Sequence, residues 1–378
     1  MRQQIRVRRP AALCGTAIAA VLALSVPAQA APADDHAATQ KALNAFQAQT
    51  GPGAGVYAGD HTGSWHLSAG TGTVNTQQPI QPTQHFRAAS QTKTFTAAVV
   101  LQLVDEGKVS LDTPIERYLP GVVDGNGYDG NKITVRQLLQ HTSGIPTNNT
   151  PQPKPSPDGT YTLAALVRDG LRLPPASAPG TAWHYSNTNY QIAGMLIEKV
   201  TGLPVGEVIT RRIIEPLGLR ETTLPKAGDR SLPAPYVHGY KGGRLGPVFL
   251  WVDATKDLEP SLFNSAGAMI STQQDLTTFD QALLGGKVVS PAGLAQMRKT
   301  VPVGGGGDGY GLGLSSHNLP CGGTAWGHSG SAPGYISMTL VTPDGRHASV
   351  LTNAQIESPK MVDVLDSALC EQTALRGD

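Results

Sequence analysis

Strand-like runs stand near the two ends of this chain and helical ones fill its middle, a distribution that narrows the possible folds sharply. Residues 55–58 and 65–69 read as strands split by turn residues 59–63. Residues 335–342 and 348–353 read the same way, joined by Pro343-Asp344-Gly345, a strong turn signal. From Leu111 to about Leu224 the pattern is helical pieces broken by Pro and Gly, clearest at Val135–Leu139 and 191–200. Residues 148–159, rich in Pro and Asn, must form a loop, and the glycines at 304–307 a short flexible one. A first helix is expected within 31–50 and a last one at Lys360–Leu375. The ends are therefore α/β and the middle is mostly α.

Residues 1–30 are set aside as a secretory signal peptide. Arg2, Arg6, Arg8 and Arg9 form a basic start, residues 11–26 an apolar stretch, and Ala28-Gln29-Ala30 a small-x-small cleavage site. An uncleaved membrane anchor is the alternative, but the apolar run falls short of the about 20 residues a bilayer span needs. Cleavage after Ala30 removes four arginines and no acids, so the formal charge passes from +1 to 1 − 4 = −3. That balance offers no basis for nucleic acid or an anionic membrane surface as partner. The remaining 378 − 30 = 348 residues are long for one core, so two subdomains are expected. Cys321 and Cys370 remain, and an even pair outside the cell is most simply a disulfide, with two buried thiols as the alternative.

Three short motifs could carry chemistry. In Ser90-Gln91-Thr92-Lys93, a spacing of three puts Ser90 and Lys93 on one helical face, about 5–6 Å apart at Cβ. The helix they open, residues 94–105, turns Phe95, Ala98, Val99, Leu101 and Val104 mainly to one side. Free N–H groups at its first turn favour developing negative charge on the serine, and the lysine can act as base or lower the hydroxyl's pKa. The competing reading makes Ser90 an N-cap and Lys93 a solvated charge. In Tyr185-Ser186-Asn187, a cation beside the phenol would make it a usable base, and the Asn187 amide could hold both Lys93 and a substrate carbonyl. The competing reading is a helix cap. In His328-Ser329-Gly330-Ser331, an edge strand could offer the Ser331 N–H as an oxyanion donor beside that of Ser90, with Gly330 allowing close approach.

Other motifs fail. Gly327-His328-Ser329-Gly330-Ser331 lacks the final glycine and the following helix of a Gly-x-Ser-x-Gly elbow. The glycine run from Gly304 lacks the strand, helix and acidic residue of a dinucleotide site. No His-Glu-x-x-His or His-x-His spacing occurs, so neither metal nor cofactor is expected.

The order Ser-x-x-Lys, Tyr-x-Asn, His-x-Gly resembles the serine DD-peptidase and class C β-lactamase family, above all its secreted streptomycete D-alanyl-D-alanine carboxypeptidases. The likeness extends to residues 99–108, 133–139, His141-Thr142-Ser143-Gly144, 185–202, 265–268 and 309–314. It implies a β-lactamase/transpeptidase-like fold, α/β plus all-α. An antiparallel sheet flanked by terminal helices would come from 31–108 and 255–378, with 109–254 an inserted, mostly helical domain. It further implies Ser90 as nucleophile, Lys93 and Tyr185 as acid/base pair, Asn187 as substrate holder and Ser90 and Ser331 N–H groups as oxyanion hole. Cys321 and Cys370 resemble the disulfide pair of the streptomycete enzymes. His328 stands where class C β-lactamases carry lysine, as on the peptidase side of the family.

The sequence also departs from those relatives. Their carboxylate-gripping arginine is replaced in Ser315-Ser316-His317-Asn318, and position 262 holds Leu where an aromatic is expected, with Phe263 beside it. The leading expectation is a secreted, monomeric, penicillin-binding D-Ala-D-Ala carboxypeptidase acting on small peptides and acylated by β-lactams. A D-amino-acid amidase, D-aminopeptidase or esterase and a β-lactamase share its chemistry. A non-catalytic penicillin-binding scaffold is the reading from another class, and the intact motif side chains count against it.

Overall fold

The computed structural model describes residues 36–147, 153–245, 248–304 and 307–375. The expected signal peptide, the start of the Pro- and Asn-rich loop and the centre of the glycine run lie outside the described residues. Helix α1 (Ala37–Thr50) leads into the hairpin of β1 (Gly53–Asp60) and β2 (Gly63–Gly70). The helices that frame the site follow: α2 (Thr92–Asp105), α3 (Val135–Leu139), α4 (Leu163–Gly170), α5 (Asn187–Thr201) and α6 (Gln273–Leu284). The chain then returns to strands with β3 (Val301–Pro302), β4 (Gly309–Tyr310), β5 (Ser315–Asn318), β6 (Thr324–Ala332), β7 (Tyr335–Val341) and β8 (His347–Thr352). It closes on α7 (Lys360–Leu375).

These strands form one eight-stranded antiparallel sheet in the order β2-β1-β8-β7-β6-β5-β4-β3, so chain ends distant in sequence are sheet neighbours. Val56 of β1 faces Val350 of β8, and Gly330 of β6 faces Ser337 of β7. The expected turn after β7 is present, with Gly345 at φ +91°, a value that favours glycine.

Both faces of the sheet are covered. On one, Leu43 and Phe46 of α1 join Val364, Leu365 and Leu369 of α7 over Val56, Leu340 and Val350. On the other, Leu351 belongs to the larger core that includes Phe95 of α2 and Phe279 of α6, whose rings stack at 3.5 Å. Every residue of β8 is accordingly buried, which is why its sequence does not alternate. A disulfide joins Cys321, in the turn between β5 and β6, to Cys370 on α7, and so decides between the two states open to that pair.

Two local expectations change. Helix α2 is not one-sided: residues 92–101 are all buried, the polar ones because each finds a partner. Thr94 Oγ1 donates to Gly313 O at 2.8 Å and Thr96 Oγ1 to Ser265 O at 2.7 Å. A hairpin, Tyr240–Leu245 with Val248–Asp253, also stands within the stretch expected to be mostly helical. Its second strand is a short, almost wholly apolar run, which period alone does not tell from a helical piece, and Leu250 and Val252 remain exposed.

Candidate active site

Ser90 sits in a 3₁₀ turn, Ala89–Gln91, that runs into α2. Ala89 has φ +49°, a region costly for a residue with a Cβ. Local hydrogen bonds hold it there: Ala88 N–H donates to Met269 O at 2.9 Å, and Thr92 Oγ1 to Ala89 O at 2.6 Å. Strand β6 presses on the same turn. A Cβ on Gly330 would lie 2.1 Å from Ala88 O, so the close approach requires glycine.

Lys93 is fully buried, which removes the reading of a solvated charge. Its Nζ lies 3.0 Å from Ser90 Oγ, 2.8 Å from Asn187 Oδ1 and 2.6 Å from Ala266 O. Burial holds the amine's proton affinity well below the ordinary lysine value. The Tyr185 ring centroid is 4.9 Å from Lys93 Nζ, and the phenol shares a hydrogen bond with Ser90. Burial raises the Tyr185 pKa, with the Ser90 hydrogen bond pulling the other way. Asn187 is the first residue of α5, so one helix start orients both Tyr185 and the amide that faces Lys93.

Behind Tyr185 lies a packed aromatic layer. The His141 ring centroid is 4.4 Å from that of Tyr185, 5.2 Å from Tyr190 and 5.0 Å from Tyr310. Helix α3, capped by the reciprocal Thr134 and Gln137 hydrogen bonds, delivers His141 to this point. The sequence singled out His141 only as part of a four-residue likeness and did not name Tyr310 or Ala266 individually. No local signal gives them away, since their roles depend on contacts across the fold.

Beyond Gly327, the last residue of β6 paired with β5, residues 328–332 pair only with β7 among the described contacts. Ser329 and Ser331 are exposed there, and Ser331 Oγ accepts from Gln355 Nε2 at 3.2 Å. His328 is buried. Its Nδ1 lies 2.6 Å from Ser329 O, an atom that only accepts, so Nδ1 carries the hydrogen. Nε2 is then free to accept from Tyr310 O–H at 3.0 Å. Burial, then the nearby Lys93 charge, lowers the His328 pKa to about 3, so the ring is neutral near pH 7.

His317, in the stretch where an arginine would grip a carboxylate, is committed elsewhere. Its Nδ1 lies 3.1 Å from Asp308 Oδ1 and its Nε2 2.8 Å from Asp366 Oδ1 of α7. Phe263, beside Leu262, packs against the cluster of Ala89, Leu258 and Ala332. Among the described residues no cluster of His, Cys, Asp and Glu is arranged to hold a metal ion, and no helix is long and apolar enough to cross a membrane.

A hydroxyl held between a buried amine, a phenol and a glycine-bearing strand edge is a geometry suited to acyl transfer. Comparison with known proteins agrees. The chain is 29% identical over 366 residues to penicillin-binding protein 4 of Amycolatopsis lactamdurans, covering 90% of this chain and 91% of that protein. Its fold matches a D-stereospecific amidohydrolase from Streptomyces sp. with a TM-score of 0.78 and 42% identity, over 87% of this chain and 98% of that one. It also matches the D-amino acid amidase of Ochrobactrum anthropi SV3 complexed with D-phenylalanine, with a TM-score of 0.79, 28% identity and coverage of 91% and 100%. These likenesses bear out the β-lactamase/transpeptidase-like fold. The Beta-lactamase family model matches residues 39–367, nearly all of the described chain, and the protein belongs to the beta-lactamase family of serine hydrolases.

Proposed function

We propose that the protein is a secreted hydrolase that forms an acyl-enzyme on Ser90 and cleaves the bond after a D-amino-acid residue. In this reading Lys93 and Tyr185 exchange the Ser90 proton, and Asn187 holds Lys93 and the substrate carbonyl. The N–H groups of Ser90 and Ser331 receive the oxyanion, and Ser329 and Gly330 offer main-chain contact to the substrate.

On the leaving-group side we favour an uncharged amide or a longer peptide over a free terminal carboxylate. The observation behind this preference concerns the strands beside Ser90: β4, β5 and β6 contain no Lys or Arg, His328 is neutral, and His317 is occupied by two aspartates. A desolvated arginine–carboxylate pair contributes several kcal/mol, on the order of 2–5, to selectivity of that kind. The D-stereospecific amidohydrolase and the D-amino acid amidase among the structural neighbours support this choice.

D-Ala-D-Ala carboxypeptidase activity, with acylation by β-lactams, is the second reading, supported by the likeness to a penicillin-binding protein over 90% of the chain. The two are separated by offering the purified protein an acyl-D-Ala-D-Ala peptide, its C-terminal amide, a chromogenic cephalosporin and a nitrophenyl ester. Amide turnover equal to or better than that of the free acid supports the first reading; a clear preference for the free acid replaces it with the second.

A further inference from the structure

We propose that His141 is the positioning residue for Tyr185, gripping the main chain on both sides of it so that its phenol meets Ser90. The inference rests on the assignment of Tyr185 to proton transfer and goes beyond it by naming what fixes the phenol in place.

The grip has two halves. His141 O accepts the N–H of His184 at 2.8 Å, and His141 Nδ1 accepts the N–H of Ser186 at 3.2 Å. The two residues flanking Tyr185 are thus both bonded to one residue from another segment of the chain. Between them, the imidazole packs tilted against the Tyr185 ring, with the centroids 4.4 Å apart and the planes at 43°.

The ring's orientation is itself determined. Ser143 Oγ donates to Asn189 Oδ1 at 2.6 Å, which turns the Asn189 amide nitrogen toward His141 Nδ1 at 3.0 Å. Nδ1 therefore faces two donors and must be unprotonated, which puts the ring hydrogen on Nε2. His141 Nε2 is buried without a hydrogen-bond partner among the described residues, so the two donors at Nδ1 alone set the tautomer. Charged and titratable groups face the ring from every side: Lys93 of α2, Tyr185 and Tyr190 at the start of α5, Tyr310 of β4 and His328 of β6. Burial and the Lys93 charge keep His141 neutral well below the ordinary histidine range, as an acceptor at Nδ1 requires.

The backbone adds a second constraint. His141 has φ +61°, a left-handed value that few side chains adopt, and this turn lets one residue present both its carbonyl and its ring to the 184–186 segment. Strain of this kind persists only where the surroundings enforce it. A histidine needed merely to fill space would not need a left-handed backbone and two acceptors in register.

The test is the rate at which a fluorophosphonate labels Ser90, read by intact mass across pH, so that no amide or peptide substrate is assumed. His141→Gly suits the backbone and deletes the ring. It is expected to label about 10²-fold more slowly, with the pH limb assigned to the base moved to higher pH, and added imidazole should restore most of the rate. The double variant His141→Gly with Ser90→Ala corrects for imidazole's own reactivity. Should His141→Gly unfold, His141→Asn and His141→Leu replace it. Asn tolerates positive φ and carries an acceptor, so it should label faster than Leu.

Near wild-type labelling by His141→Gly, or a loss without imidazole rescue in a protein of unchanged melting temperature, overturns the proposal. Equal rates for the Asn and Leu variants do the same. Tyr185→Phe separates the two claims. If that variant labels at the wild-type rate, the role of Tyr185 falls and this proposal with it. If it is inert while His141→Gly is unaffected, only the role of His141 falls.

Discussion

Lys93 Nζ lies 2.6 Å from the main-chain oxygen of Ala266, on top of its contacts with Ser90 and Asn187. Ala266 O can only accept, and Asn187 Oδ1 likewise, so two of the amine's hydrogens are committed away from the serine. Burial disfavours the third proton. In the neutral amine the lone pair is then left for the Ser90 hydroxyl. In the proposed mechanism a lysine held this way serves as a base with a fixed direction.

Lys93→Ala should therefore lower Ser90 acylation by about 10²- to 10⁴-fold, the range for a lost proton-transfer group. Lys93→Arg should not restore it, because a guanidinium stays protonated and planar. Acylation is followed by intact mass with a nitrophenyl ester, alongside circular dichroism to show that the fold survives.

Gly330→Ala tests the contact between strand and nucleophile turn. With Ala88 O 2.1 Å from the added Cβ, β6 must move off the turn or the turn must shift. Overpacking of this kind costs about 1–3 kcal/mol. The thermal transition should fall modestly while acylation falls much further, since the proposed oxyanion donors on the two sides separate. A variant that loses stability and keeps its acylation rate would show that the approach serves packing alone.

His328 gives a pH signature in stability. Its folded pKa, about 3, lies below the ordinary 6.5, so the unfolded chain binds the proton more readily. The stability tied to the neutral ring is complete above about pH 6.5 and is lost progressively as pH falls toward about 3. His328→Gln should flatten that part of the stability curve in denaturant titrations at several pH values. An unchanged acid slope would contradict the assignment of a neutral, buried ring.

His317 should show the opposite sign. Its hydrogen bond with Asp366, opposed by partial burial and aided by both aspartate charges, raises its pKa above the ordinary 6.5. Its contribution is present in full below the unfolded value and is lost as pH rises through the raised folded value. His317→Gln should cost about 1–3 kcal/mol near pH 6 and much less near pH 9. It should leave acylation of Ser90 unaltered, because the ring ties β5 to α7 and faces away from the reaction. A loss of acylation would return His317 to the list of substrate contacts.

Much of this molecule was legible in its sequence. The terminal strands, the last helix and the turn at Asp344-Gly345 follow from period and turn chemistry, and the spacing of Ser90 and Lys93 is a property of one helix. What escaped depended on distance along the chain. Tyr310 meets His328 only because β4 lies two strands from β6 in the sheet. Ala266 contributes a carbonyl, which any residue possesses, so no residue type could mark it. His141 was visible as a histidine in a conspicuous tetrapeptide, but its left-handed backbone and its two bonds to the flanks of Tyr185 arise from packing against α5. The hairpin Tyr240–Leu245 and Val248–Asp253 hid for a related reason: two short strands with exposed apolar residues carry too weak a period to read.

The central claim is that Ser90 becomes covalently acylated. Its most direct measurement is peptide-level mass spectrometry of the purified protein quenched during turnover of a nitrophenyl ester. One acyl adduct is expected, on the peptide containing Ser90, absent from Ser90→Ala together with the activity. Turnover retained by Ser90→Ala, or an adduct mapped to another residue, would contradict it.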